Sequence, residues 1–199
     1  MRRRPFLQTL PATVATPWAA AAGPRKTLRL AFGSPETSFD PVQTNSDSNT
    51  ALVLCNILES PLGYDYLARP AQLVPVTAAA LPEVSADGRS FTLRLQPGIH
   101  FADDPAFKGR PRELVAQDYV YSIQRFFDPR WNSSDLYLYE SLQLPGLAAR
   151  RDQAVKTRRP FDYDRPVEGL RALDRYTLRI TLGVPDRRFI YLLADAQMM

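Results

Sequence analysis

Ser85 to Leu95 reads SADGRSFTLRL, and its alternation sets the interpretation of the whole chain. Asp87-Gly88 supplies residues that accept positive φ, and Ser90 to Leu95 alternates apolar and polar positions beyond them. Val84 to Leu95 is therefore expected to be a β-hairpin with one buried face. A second hairpin is expected downstream, where Val167 to Leu173 and Tyr176 to Leu182 (YTLRITL) flank a tight Asp174-Arg175 turn. Between them, Ala116 to Phe127 (AQDYVYSIQRFF) places Val120, Ile123 and Phe127 at i, i+3 and i+7, with Asp118 in the first turn to complement the dipole. This is the strongest helix signal in the chain.

Working outward, Thr27 to Phe32 (TLRLAF) alternates over a length suited to a half-buried strand. Asp47 or Ser48 caps an expected helix through Leu58, whose apolar residues Leu52, Ile57 and Leu58 fall near helical spacing. Gly63 to Leu67 and Ile99 to Phe101 read as short strands, and Pro70 to Pro82 as a loop with one or two helical turns broken at Pro75. Ser133 or Ser134 can cap a helix through Leu142, Leu147 to Arg159 is a more basic helical or loop segment, and Phe189 to Ala194 a short helix.

Composition is that of a globular chain: 199 residues, 45% apolar and 23% charged, with 18 prolines against 9 glycines placed between apolar runs. Short elements with rigid connections follow. The formal charge is +4, but Arg2, Arg3 and Arg4 lie in a segment with no acid; the 25 lysines and arginines less these three leave 22 against 21 acids. No basic stripe interleaved with aromatics remains, which argues against nucleic-acid binding. The one cysteine, Cys55, excludes an intrachain disulfide and sits in an apolar run, where a small buried hydrophobe is the expected role.

Residues 1–22 combine a basic start, a mildly apolar middle and a small-residue exit at Ala20, Ala21 and Ala22, the organisation of an export signal. Its Arg3-Arg4-Pro5-Phe6-Leu7-Gln8 is similar to the twin-arginine pattern. Residues 23–199 then form the expected folded domain, in the periplasm.

Catalytic machinery is not legible. His100 is the only histidine, and no Gly-x-Ser-x-Gly elbow accompanies it, so neither a hydrolytic triad nor a histidine metal site is expected. Asp103-Asp104 and Asp162 with Asp164 read as loop acids, no glycine-rich phosphate loop occurs, and no cofactor is expected. Aromatics cluster from Tyr119 to Tyr139. Most suit a core, while Trp131 and Tyr137, beside a loop, are candidates to line a ligand pocket.

The ordered set of motifs resembles the bacterial extracellular solute-binding proteins of family 5, the oligopeptide, dipeptide and nickel binding components of ABC transporters. The segments carrying it are Ser38-Phe39-Asp40-Pro41, Asn56 to Leu62, Leu73-Val74-Pro75 to Leu81, Ser85 to Leu95, Gly98-Ile99-His100-Phe101, Leu114 to Ser122 and Ala172 to Leu178. Two positions depart from the family pattern: Phe101-Ala102-Asp103-Asp104 stands where an Asp-Gly usually follows the Phe, and Val115 replaces the usual threonine cap.

The resemblance implies an α/β, periplasmic binding protein-like (type II) lobe with a mixed sheet and hairpins, the C-terminal half of the family's fold being absent. It implies capture of a peptide or peptide-like solute through main-chain hydrogen bonds, for an ABC transporter permease in the membrane, by a monomer that is not an enzyme. Alignment from Asp40-Pro41 places the family's contact strand on Thr44, Asn45, Ser46 and Asp47; the same residues also suit a solvated loop capping the next helix. A small exported hydrolase and a non-functional fragment of a binding protein are the competing expectations.

Overall fold

The computed structural model describes residues 26–44 and 48–195. The chain divides into two units, Met1–Ala31 and Phe32–Met199. The export-like segment 1–22 lies outside the described residues. Residues 26–31 are irregular and exposed, Leu28 at 83% and Leu30 at 67%. The strand expected over Thr27 to Phe32 is thus absent: alternation selects which face could be buried, but a strand needs a neighbour, and among the described residues none pairs with it.

The second unit is built on a four-stranded sheet of β3 (Glu83–Val84), β4 (Ser90–Arg94), β5 (Leu170–Ala172) and β6 (Thr177–Thr181), ordered β3-β4-β6-β5. Both expected hairpins are present. Gly88 takes φ +69° in the first turn, where Asp87 accepts hydrogen bonds from the Ser85 hydroxyl and the Arg89 N–H. The expected mixed sheet is antiparallel in every pairing among the described strands, because the long excursion from β4 returns β6 in the opposite sense. Phe91 pairs with Ile180 and Leu93 with Leu178, all four buried, while Arg94 and Arg179 face solvent.

Helix α2 (Ala116–Phe127) covers the buried face with Tyr119, Val120, Ile123, Phe126 and Phe127. Val115 has no side-chain acceptor to cap it; instead Asp118 reaches back to the Val115 N–H at 2.8 Å and pairs with Arg112. The Tyr119 hydroxyl lies 2.5 Å from that of Thr77, and burial pushes its pKa up to about 12. Helices α3 (Leu136–Ser141), α4 (Leu147–Thr157) and α5 (Phe189–Leu192) complete the cover.

Three local expectations are corrected. Leu73–Pro75, expected in a loop, is strand β2, antiparallel to β1 (Leu62–Tyr64). Pro75 is tolerated there because a two-stranded ribbon has an unpaired edge for a residue lacking an N–H. Ile99 to Phe101 is reduced to a single bridge between His100 and Glu113. Helix α1 (Ser48–Ile57) forms as expected but turns Thr50 and Leu54 inward, at i and i+4, leaving Leu52 and Ile57 exposed. Cys55, one step of about 100° round the helix from Leu54, is exposed and not buried.

Glu113 fastens two turns to each other. Its carboxylate accepts from the Gly98 N–H at 2.8 Å, the Arg175 guanidinium at 2.5 Å and the Tyr176 hydroxyl at 3.0 Å. Arg175, with the Gly98 and Tyr176 donors, holds its pKa down at about 2, against an ordinary 4.5. A depressed carboxyl stabilises the fold fully above its unfolded pKa and loses that contribution as pH falls through the folded one. Glu113→Gln is therefore expected to flatten the loss of stability between pH 4.5 and about 2. Urea midpoints measured at pH 5 and pH 3 check this; an unchanged slope contradicts it.

Candidate ligand-binding site

Thr37 ties Thr44 to Thr50, and Asp40 between them is bolted to the far end of α2. The Thr37 N–H donates to the Thr50 hydroxyl at 2.9 Å, and the Thr37 hydroxyl donates to the Thr44 carbonyl at 3.3 Å. Asp40 caps a single 3-10 turn, Pro41–Gln43, accepting from the Val42 N–H at 3.2 Å. Proline at the first position of that turn loses no hydrogen bond, since its missing N–H would have had no partner.

The same Asp40 carboxylate receives both arms of the Arg125 guanidinium, Oδ1 at 3.0 Å and Oδ2 at 2.6 Å. This fork geometry fixes orientation as well as distance. Burial pulls the Arg125 pKa down, but the hydrogen bonds and charge of Asp40 outweigh it, and the net direction is up. The guanidinium groups of Arg125 and Arg130 both lie over the Trp131 ring, at 4.8 Å and 4.3 Å from its centroid.

A second bolt lies one turn on. The buried Thr44 hydroxyl donates to Asp135 Oδ2 at 3.4 Å, and Asp135 is itself buried at the head of α3. Beneath, Tyr139 stacks on Phe126 with centroids 4.2 Å apart, fixing α3 against α2. Tyr137 points outward, 63% exposed.

Of the two stretches singled out in the sequence, 44–47 and 131–137, Thr44 of the first bonds to Asp135 of the second. Thr44 faces inward as an anchor. Asn45, Ser46 and Asp47 lie outside the described residues. Trp131 is half-buried under its two arginines, and Tyr137 is exposed. Sequence reasoning missed Arg125 and Asp135. Asp40-Pro41 carried a local capping signal, but the partners of Asp40 and Thr44 are long-range and have no local signature.

Concavities also lie elsewhere on the described residues. A groove of about 500 Å³ runs between Cys55–Glu59 and Ile99–Ala102. His100 lines it, exposed, its Nδ1 2.9 Å from the Gly98 carbonyl. A larger one of about 770 Å³ lies between α2 and α4, lined by Tyr121, Phe161 and Tyr163. There the Tyr163 hydroxyl donates to buried Asp128 at 2.7 Å, and burial, then that hydrogen bond, push its pKa up to about 12. Among the described residues, no three His, Cys, Asp or Glu side chains group to hold a metal ion, and no helix is long and apolar enough to cross a membrane.

Comparison with known proteins gives a consistent result. The family described as bacterial extracellular solute-binding proteins, family 5 Middle, matches residues 72–198. Di/tripeptide-binding protein 4 of Pseudomonas aeruginosa is 27% identical over 94% of this chain and 32% of its own length. The probable di/tripeptide-binding protein 5 of the same organism is 34% identical over 72% of this chain and 27% of its own. This chain spans about a third or less of these relatives' length. Among solved structures, the pheromone receptor PrgZ superposes with TM-score 0.62 at 23% identity, covering 84% of this chain and 29% of that one. The Escherichia coli murein tripeptide binding protein MppA gives 0.60 at 24%, covering 82% and 28%. The fold is shared at that level.

Proposed function

This chain belongs to the bacterial extracellular solute-binding proteins of family 5, with the type II periplasmic binding-protein fold, and on that premise we propose that it forms one wall of a peptide-binding cleft. The observation that carries this reading is the clamped 37–44 segment. Arg125 and Asp135 hold Asp40 and Thr44, the residues at the two ends of its 3-10 turn, and Tyr137 is exposed two positions after Asp135. An extended peptide would pair through its main chain with Asn45, Ser46 and Asp47, and Tyr137 would supply an aromatic side-chain contact. Thr44 and Trp131 would act as the supports of this wall.

The family setting extends the proposal. The whole protein would be the substrate-binding component of an ABC transporter, delivering di- or tripeptide-like solutes to a membrane permease. It would bind as a monomer and catalyse nothing. Residues 1–22 would direct it to the periplasm, by the twin-arginine route.

Thermal unfolding of the 199-residue chain with defined tripeptides tests the reading. A ligand at a hundred times its Kd adds about 2.7 kcal/mol. For a domain of this size that raises the midpoint by roughly 5–10 °C. Equal concentrations of free amino acids should leave it unchanged; a midpoint indifferent to every peptide tried would count against the proposal.

A further inference from the structure

Arg150 projects from α4 into the fold and is 7% exposed, yet no carboxylate lies within ion-pair distance of it among the described residues. Its guanidinium donates to two main-chain carbonyls, Asp162 at 3.0 Å and Pro166 at 2.9 Å. A guanidinium carries five N–H donors and a full charge, so two neutral carbonyls and the face of the Phe161 ring, 5.9 Å away, leave it without a counter-anion. Burial, above all, lowers its pKa; the Asp162 carboxylate works in the opposite direction, and repulsion from Arg165 adds to the lowering.

A cavity of about 200 Å³ opens on this side chain, lined by Gln153, Thr157, Arg159, Asp162 and Arg165. Arg159 and Arg165 are exposed and make no ion pair among the described residues. The single acid of the lining, Asp162, is engaged elsewhere: its Oδ1 accepts from the N–H groups of Asp164 and Arg165, both at 3.1 Å. Three guanidinium groups against one carboxylate leave the walls net positive, with a hydroxyl and an amide to complete a hydrogen-bonding set.

We infer that this cavity between α4 and the 159–166 loop is a binding site for a small oxyanion of the phosphate class, held by Arg150, Arg159 and Arg165. Tetrahedral oxyanions accept from several forked donors at once, and a guanidinium–phosphate contact in a recess is charge-assisted. The site shares no residue with the clamped 37–44 segment and does not depend on the peptide-binding proposal.

Titration of the 199-residue chain with inorganic phosphate at constant ionic strength, followed by arginine side-chain NMR and calorimetry, tests the inference. Saturable binding that shifts the Arg150 resonances is expected, weakened at least tenfold in Arg159→Gln and in Arg165→Gln, two exposed positions where folding should persist. Arg150→Lys keeps the charge, loses the fork, and should weaken it comparably. A second arm uses phosphatidylglycerol vesicles: co-sedimentation sensitive to Arg165→Gln, with no saturable response to free phosphate, would assign the oxyanion to a lipid headgroup. Non-saturating shifts matched by chloride, with no vesicle binding, or affinities unchanged in both glutamine variants, would overturn the inference.

Discussion

Phe91→Ala is expected to lower the free energy of unfolding by about 3–5 kcal/mol, and the melting temperature by roughly 6–20 °C. Phe91 is fully buried on β4, opposite Ile180 of β6, and meets the Phe189 ring of α5 edge-on with centroids 4.8 Å apart. Truncation would remove the contact between a central strand and the helix that closes its end. The backbone there is held on both sides by β3 and β6, so the void could collapse only partly. Denaturant unfolding measures the effect. A cost below about 1.5 kcal/mol would mean that β4 is not the centre of the core.

Arg125→Ala is the second large effect, expected to cost about 2–3 kcal/mol. It removes both hydrogen bonds to Asp40, whose side chain is 24% exposed, and strands that carboxylate without its counter-charge. It also lifts one of the two cations from the Trp131 ring. Arg125→Lys should recover only part of the loss, because an ammonium cannot reproduce the fork. A double-mutant cycle with Asp40→Ala should return a coupling of about 1–3 kcal/mol. Coupling near zero would mean that the 37–44 segment is held in some other way.

Both hairpins and α2 were legible in the sequence because each is specified locally: Asp87-Gly88 and Asp174-Arg175 set the turns, and the spacing of Val120, Ile123 and Phe127 sets the helix face. Failures came where the decisive partner was distant. Thr27 to Phe32 carries the alternation of a strand and has no pairing among the described residues; Leu73–Pro75 is too short to signal its pairing with Leu62–Tyr64. Cys55 lies in an apolar run, but an amphipathic helix buries only one stripe of such a run, and Leu54 and Thr50 occupy it.

The candidate wall divides in the same way. Its position at Thr44 to Asp47 came from resemblance to the family, and Trp131 and Tyr137 from their density of aromatics. That Thr44 is an anchor rather than an exposed contact follows from Asp135, 91 residues away. No pattern in the sequence encodes that bond.

Photo-cross-linking of a tripeptide bearing a diazirine side chain to the 199-residue chain, mapped by mass spectrometry, tests the proposed wall most directly. Label is expected on Asn45, Ser46, Asp47 and Tyr137, reduced by unlabelled tripeptide and by Arg125→Ala. Label confined to the groove of Ile57 and Phe101, or to that of Tyr121 and Tyr163, would contradict it.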